Sequence, residues 1–354
     1  MPTAAPPPSL AAIATSVETR LRDVLHIEIA RWAAFDEDLR LPMEHIGRLV
    51  LGGGKRLRPS FCHWGYVGAG GQAGDQRIVD AGAALELMHA FALFHDDVMD
   101  DADTRRGTPT THTVFAHAHA AAGWAGESRR FGEGVAILVG DLAFVMADQL
   151  LIDAPRDAWA IWNELRTELN IGQLLDIVGS VQGDRRLDKA ERICRYKSGK
   201  YTVERPLHLG AVLAAPDRAA ELLPALSAYG LPLGDAFQMR DDVMGAFGDE
   251  AITGKPVGGD LREGKPTPLL ARAVQASSPA QRAELDQVGS SDLDDADIER
   301  IQQVIVDTGA LAALEKQIAE LTDQAIGAIE VAPINAQSRD ELIALAHYVS
   351  QRSV

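Results

Sequence analysis

The sequence predicts an all-α protein, and three observations carry that prediction. Apolar residues and alanines recur at helical spacing from Ser9 to the C-terminus. Few segments alternate between apolar and polar residues as strands do. The breaks, such as residues 70–75 (GGQAGD) and Ala215-Pro216-Asp217, have the composition of short helix–helix connections. A length of 354 residues by itself suggests two domains, but no shift in composition marks a boundary. One large helical domain over residues 9–354 is therefore expected, behind a Pro-rich tail at residues 1–8 that is expected to be disordered.

Ser9 opens the first helical pattern, which continues to Phe35. Gly52-Gly53-Gly54-Lys55-Arg56-Leu57-Arg58-Pro59 reads as a loop entering a helix, with Pro59 suited to the first turn. A long helix is expected over residues 77–101, followed by a loop at residues 104–109. Further helices are expected at 112–122, 134–153, 157–181, 187–214 and 217–246. Residues 247–268 form a polar stretch rich in Gly, Pro and Asp, long enough to be functional or disordered. The acidic segment 277–297 reads as a solvated helix pair, and three helical stretches close the chain.

Composition excludes some functions. A net charge of −17 argues against a nucleic-acid partner, which needs a basic face. It does not argue against a phosphorylated small molecule, because a bound metal inverts the local sign. Cys62 and Cys194 have no metal-ligand spacing and read as two reduced thiols of a cytoplasmic protein. The N-terminus lacks a basic region followed by an apolar run, and Glu86 and His89 interrupt the most apolar stretch, Ala81 to Phe94. No stable membrane insertion is expected, although the substrate can still be apolar.

The chemistry is concentrated in two acidic clusters. The first is Asp96-Asp97-Val98-Met99-Asp100-Asp101, emerging from the apolar turn Phe91-Ala92-Leu93-Phe94; the second is Asp241-Asp242 within Phe237-Gln238-Met239-Arg240-Asp241-Asp242-Val243-Met244. On a helix Asp96 and Asp100 share a face and Asp97 points to one side. Carboxylates this dense resist burial unless a cation lies between them, so Mg²⁺ with a phosphorylated substrate is the expected occupant. By itself the second pair is as consistent with capped, solvated aspartates as with ligands. Lys55, Arg56 and Arg58 beside a glycine run, Arg105 and Arg106 after the first cluster, Lys197 and Lys200 around Ser198-Gly199, and Lys255 and Lys265 in the glycine-rich stretch suit phosphate clamping. On residue type alone, His89 reads as a hydrogen-bonded core histidine.

In this order, Gly53-Gly54-Lys55-Arg56-Leu57-Arg58-Pro59, His89, Asp96-Asp97-Val98-Met99-Asp100, Arg105-Arg106-Gly107, Lys197-Ser198-Gly199, Phe237-Gln238-xx-Asp241-Asp242 and Gly254-Lys255 resemble the motifs of the trans-isoprenyl diphosphate synthases, the polyprenyl synthetases. The match covers roughly residues 45–270. The resemblance implies helices surrounding a central cavity, a homodimer, and condensation of isopentenyl diphosphate with an allylic diphosphate by ionisation, condensation and elimination. It implies that Asp96, Asp97, Asp100, Asp241 and Asp242 hold Mg²⁺, three ions per site with Mn²⁺ able to substitute. It further implies that Arg105, Lys197 and Lys255, with Gln238 nearby, contact the allylic diphosphate, and that Lys55, Arg58, His89 and Arg106 form the isopentenyl diphosphate site. Where the family's second motif ends in Asp, this chain has Gly245. That departure is read as weakened binding of one metal, as compensation by Asp249, or, preferred, as the mark of a subgroup with unaltered activity.

Phe91 lies five residues before Asp96, about 7.5 Å deeper along a helix, where a phenyl ring would form a floor for the growing chain. An aromatic there, beside the small Ala92, resembles enzymes that make geranylgeranyl diphosphate. The alternatives are a farnesyl diphosphate synthase of the same family, a terpene cyclase, or a non-catalytic regulatory subunit. Lys55, Arg58 and Arg106 argue against the cyclase, and the complete first motif argues against the regulatory subunit.

Overall fold

The computed structural model describes residues 5–105, 107–248, 257–290 and 292–351, and nearly every element in them is a helix. These are α1 (Pro8–Phe35), α2 (Arg40–Leu51), α3 (Leu57–Gly68), α4 (Gln76–Met99), α5 (Thr111–Ala122), α6 (Ser128–Leu150), α7 (Arg156–Gln182) and α8 (Leu187–Ile193). An eleven-residue π-helical stretch, Cys194–Glu204, follows and leads into α9 (Arg205–Ala214). The remainder are α10 (Ala219–Phe247), α11 (Gly259–Arg262), α12 (Pro268–Ala276), α13 (Pro279–Leu285), α14 (Asp295–Asp307), α15 (Ala310–Glu330) and α16 (Ala336–Ser350). The all-α expectation holds. Residues 1–4 of the expected tail lie outside the described residues, and α1 starts at Pro8.

Three local features differ from expectation. The expected loop at 104–109 contains a small antiparallel hairpin in which Thr104 pairs with Pro109 and Arg105 with Thr108. Gly107 takes φ +71°, a left-handed value that glycine adopts without a Cβ penalty. The helix expected over 187–214 changes register to π between α8 and α9. The acidic segment 277–297, expected as a helix pair, holds one short helix, α13, and only the start of α14, which runs on to Asp307; Ser278 and Asp294 each form a reciprocal capping box, with Gln281 and Asp297, at these two starts.

The described residues divide into two compact units, one within Pro8–His63 and Gln72–Pro155, the other within Trp64–Gly71 and the residues from Arg156 onward. In the first, α4 packs against α1 and α6. Glycines set the closeness: a Cβ at Gly82 would lie 2.8 Å from Val17, one at Gly132 2.1 Å from the His112 carbonyl, and one at Gly140 2.5 Å from the His95 ring. Helix α4 is long and apolar enough to cross a membrane, with mean hydropathy 1.3, but 61% of that stretch is buried inside the structure. Glu86, which interrupts the stretch, is buried in an ion pair with Arg56.

In the second unit, Met239, Val243 and Ala246 of α10 meet Leu261 of α11, Leu269 and Leu270 of α12, Ile298 and Ile305 of α14, and Leu314 and Ile318 of α15. Each buried leucine or isoleucine contributes about 1.5–3 kcal/mol. The π-helical stretch is pressed between α7 and α10, backbone on backbone. A Cβ at Gly172 would fall 2.3 Å from the Lys197 nitrogen, and one at Gly234 2.6 Å from the Gly199 carbonyl.

Candidate active site

The first acidic cluster closes α4. Asp75 caps the helix by accepting a hydrogen bond from the Arg77 amide, and Asp100 ends it, its own amide donating to the Asp96 carbonyl at 2.8 Å. Asp101 then takes the left-handed φ of +51°, which turns the chain toward the hairpin. That turn brings Arg105 back onto the helix end. Its Nε donates to Asp97 Oδ1 at 2.7 Å, and its Nη2 lies 2.6 Å from the same oxygen and 3.8 Å from Asp96. Asp97 is buried, Asp96 half-buried and Asp100 exposed, which agrees with Asp97 pointing away from the face that Asp96 and Asp100 share. Burial raises the Asp97 carboxyl above its ordinary value against the opposing pull of Arg105.

The glycine-lysine-arginine loop splits its cations. Gly53 and Gly54 take φ of +97° and +150°, and Arg56 is held at +49°, unusual for a side chain with a Cβ. Arg56 turns inward to Glu86 at 2.5 Å, Glu18 at 3.0 Å and the Val50 carbonyl at 2.6 Å. It anchors the loop, while Lys55 is exposed and Arg58 half-buried. Along α4, half-buried His89 lies two turns before Asp96 on the same face. The Phe91 ring packs on Phe144 of α6, with centroids 4.7 Å apart, and on His95 at 4.6 Å. Met88 is fully buried.

In the other unit, α10 carries Gln238, Asp241 and Asp242. Gln238 Nε2 donates to Asp242 Oδ1 at 2.9 Å; Asp242 Oδ2 is buried and, among the described residues, receives no hydrogen bond. Burial drives this carboxyl well above its ordinary value, Gln238 opposes that shift, and the charges of Asp260 and Asp241 add to it. A buried carboxylate oxygen with no donor, beside two further carboxylates, is the donor chemistry a hard divalent cation needs. Among the described residues no three carboxylate, imidazole or thiol groups enclose an ion by themselves. Lys197, in the π-helical stretch, reaches Asp176 of α7 at 2.5 Å, and Arg205 pairs with Glu168 at 2.6 Å. Single-turn π-bulges inside α-helices are frequent at functional sites, and this stretch is longer than a single turn. Arg106, Asp249 and Lys255 lie outside the described residues.

Three residues next to the site were not singled out from the sequence. Asp176 follows Gly172 by one helical turn, a spacing that signals a shared face. Phe144 has no local signal, because its role depends on α6 lying against α4. Asp260 follows a Gly-Gly pair in the polar stretch, where an isolated acid looks solvent-exposed.

A helical chain with two aspartate motifs and cations set close to them belongs, by class, to the metal-dependent enzymes that handle phosphorylated substrates. Residues 40–306 match the model of the polyprenyl synthetase family, and the chain belongs to that family. It is 31% identical over 314 residues to a geranylfarnesyl diphosphate synthase of Aeropyrum pernix, covering 86% of this chain and 92% of the relative. It is 32% identical over 306 residues to a geranylgeranyl diphosphate synthase of Mycobacterium tuberculosis, covering 84% and 80%. Its fold matches the crystal structure of a geranylgeranyl pyrophosphate synthase from Corynebacterium glutamicum complexed with isoprenyl diphosphate and magnesium, at TM-score 0.91 and 36% identity, over 97% of this chain and 99% of that one. The chain is therefore a prenyltransferase of the trans-prenyl diphosphate synthase type, whose family is divalent-metal-dependent and uses isopentenyl and allylic diphosphates.

Proposed function

We propose that this enzyme elongates an allylic diphosphate to geranylgeranyl diphosphate. The observation that carries the reading is the Phe91–Phe144 ring pair, 4.7 Å between centroids, set along α4 behind the first aspartate motif. Two aromatic rings at that depth form a floor that stops a growing chain, with fully buried Met88 about one turn further along α4, slim and flexible enough to permit some extension.

In this reading Asp96, Asp97, Asp100, Asp241 and Asp242 would hold Mg²⁺, three ions with Mn²⁺ able to substitute, and the metal would supply positive charge to offset the negative charge of the departing diphosphate. Arg105, Lys197 and Lys255, with Gln238 beside them, bind the allylic diphosphate. As its C–O bond breaks, the electron pair goes to the diphosphate oxygen, and these fixed cations stabilise the growing charge. Lys55, Arg58, His89 and Arg106 orient isopentenyl diphosphate, whose double bond attacks the allylic carbon. The apolar wall of α4 keeps water from the carbocation. A proton then leaves, with the released diphosphate as acceptor.

The enzyme works as a homodimer in this reading, supported by the exposed apolar residues Leu138, Leu142 and Val145 on α6. A cytoplasmic location is supported by Cys62 and Cys194, both free, both buried, and both with thiols pushed up by burial. Purified protein with Mg²⁺, labelled isopentenyl diphosphate and each allylic primer in turn tests the proposal. A mainly twenty-carbon product is expected. A shorter or longer main product removes the Phe91–Phe144 floor, and no condensation with any primer removes the proposed activity.

A further inference from the structure

The arginine that precedes the second aspartate pair, Arg240, has no part in the chemistry proposed above, yet it is buried and bonded through all three of its guanidinium nitrogens. Its Nη1 and Nη2 donate to Oε1 and Oε2 of Glu315 on α15, each at 2.6 Å. Its Nε donates to the Ser350 carbonyl at 2.9 Å. Ser350 ends α16, where carbonyls have no partner within the helix, so Arg240 caps that end while it pairs with α15.

The grip is on the back of α10. At about 3.6 residues per turn, Gln238 and Asp242, two residues to either side of Arg240, stand about 200° round from it. They are joined to each other on that far side at 2.9 Å, with Asp241 between the two faces. Apolar contacts of Met239, Val243 and Ala246 hold α10 against its neighbours but are non-directional. A two-pronged pairing with a carboxylate fixes an angle as well as a distance.

Helix α10 has a reason to be fixed at this place, because it contains Pro224 and Pro232. Pro232 has no amide hydrogen for the Ala228 carbonyl, and a helix lacking that bond bends there at lower cost. Before Pro232, Tyr229 ties α10 to α16 through a hydroxyl donated to the Leu342 carbonyl at 2.7 Å. Beyond it, Arg240 makes the corresponding tie for the half that carries the aspartates. Rotating that half by about 10° would move a carboxylate about 5–6 Å off the axis by about 1 Å. Misplacement on that scale costs about a hundredfold in rate.

We propose that Arg240 is a positioning residue for the second aspartate pair, fixing through Glu315 and Ser350 the bearing at which α10 presents Asp241 and Asp242. This rests on the reading of that pair as part of the active site. A lysine at 240 would supply the charge without the two-pronged geometry.

Steady-state kinetics, calorimetric titration of inorganic pyrophosphate with Mg²⁺, and thermal melting of the metal-free protein test this together. Arg240→Gln should lower kcat about tenfold to a hundredfold and weaken pyrophosphate binding. Its KM for isopentenyl diphosphate, whose proposed contacts lie on other elements, should stay near that of wild type. Arg240→Lys should behave alike. Glu315→Gln, whose amide oxygen still accepts one bond, should show the same split with a smaller fall, and it decides the matter if Arg240→Gln does not fold. Tyr229→Phe is the control. It removes a bond between the same two helices, and should lower the melting temperature by a few degrees while leaving kcat and pyrophosphate affinity unchanged. Wild-type kcat and affinity in Arg240→Gln, or an equal fall in Tyr229→Phe, overturns the positioning role and leaves the proposed function standing. Wild-type protein that elongates no primer overturns the proposed function instead, and the pyrophosphate affinities of the variants then decide the role of Arg240.

Discussion

The two aspartate motifs solve the same electrostatic problem in opposite ways. At the end of α4 the most buried carboxylate, Asp97, is met by a cation of the protein itself, Arg105, through two contacts of 2.6 and 2.7 Å. On α10 the most buried carboxylate, Asp242, receives one amide from Gln238, its other oxygen has no donor among the described residues, and the charges of Asp260 and Asp241 press on it. The first motif carries its own counter-charge. The second is met by a neutral amide, with the charge of Lys265 also opposing the upward shift that burial imposes. Ion pairs between such buried groups add little net stability, but an uncompensated buried charge costs several kcal/mol.

That contrast can be broken at several levels. The largest effects should be on turnover: Asp96→Ala and Asp241→Ala each lower kcat by about 10²- to 10³-fold, the former more severely. A near-normal rate in Asp96→Ala would remove the first motif from the metal site. Next come opposite shifts in the stability of the metal-free protein, read by thermal melting. Asp97→Asn removes the nearer of Arg105's two charged partners and should destabilise by about 1–3 kcal/mol. Asp242→Asn replaces an orphaned oxygen with an amide that can donate to the adjacent carboxylates, and should raise the melting temperature. If both substitutions shift it in the same direction, the contrast fails. The smallest effect concerns product length. Phe91→Ala, and to a lesser degree Phe144→Ala, should lengthen the product by about one five-carbon unit through the volume removed; an unchanged product distribution dismisses the ring pair as a floor.

Much of this was legible in the sequence because it is local. Asp96, Asp97 and Asp100 lie within one helical turn, Arg105 follows within a short loop, and Gln238 precedes Asp242 by one turn. The helical period likewise fixed α1, α5, α7 and α10 to within a few residues. What escaped depends on contacts between distant segments. Asp260 reaches Gly245 only because a left-handed glycine and a buried leucine turn α11 back onto α10. Phe144 meets Phe91 because Gly140 lets α6 approach α4 closely. Arg56 looked like one more phosphate-binding cation, and only its buried partners Glu18 and Glu86 show it to be an anchor.

The π-helical stretch carrying Lys197 has a consequence for how this chain can vary in length. An α-helix turns about 100° per residue, whereas a π-helix closes each hydrogen bond over one residue more. The residue count from Cys194 to Glu204 therefore sets the angular phase between Lys197, pressed onto α7 at Gly172, and α9, whose Leu207 and His208 are buried. Removing one residue would rewind the segment toward α-helix and swing α9 by about a quarter turn, pulling those side chains out of the core. Substitutions in this stretch change a side chain, but insertions and deletions change the bearing of everything downstream, so its length is held more tightly than its composition.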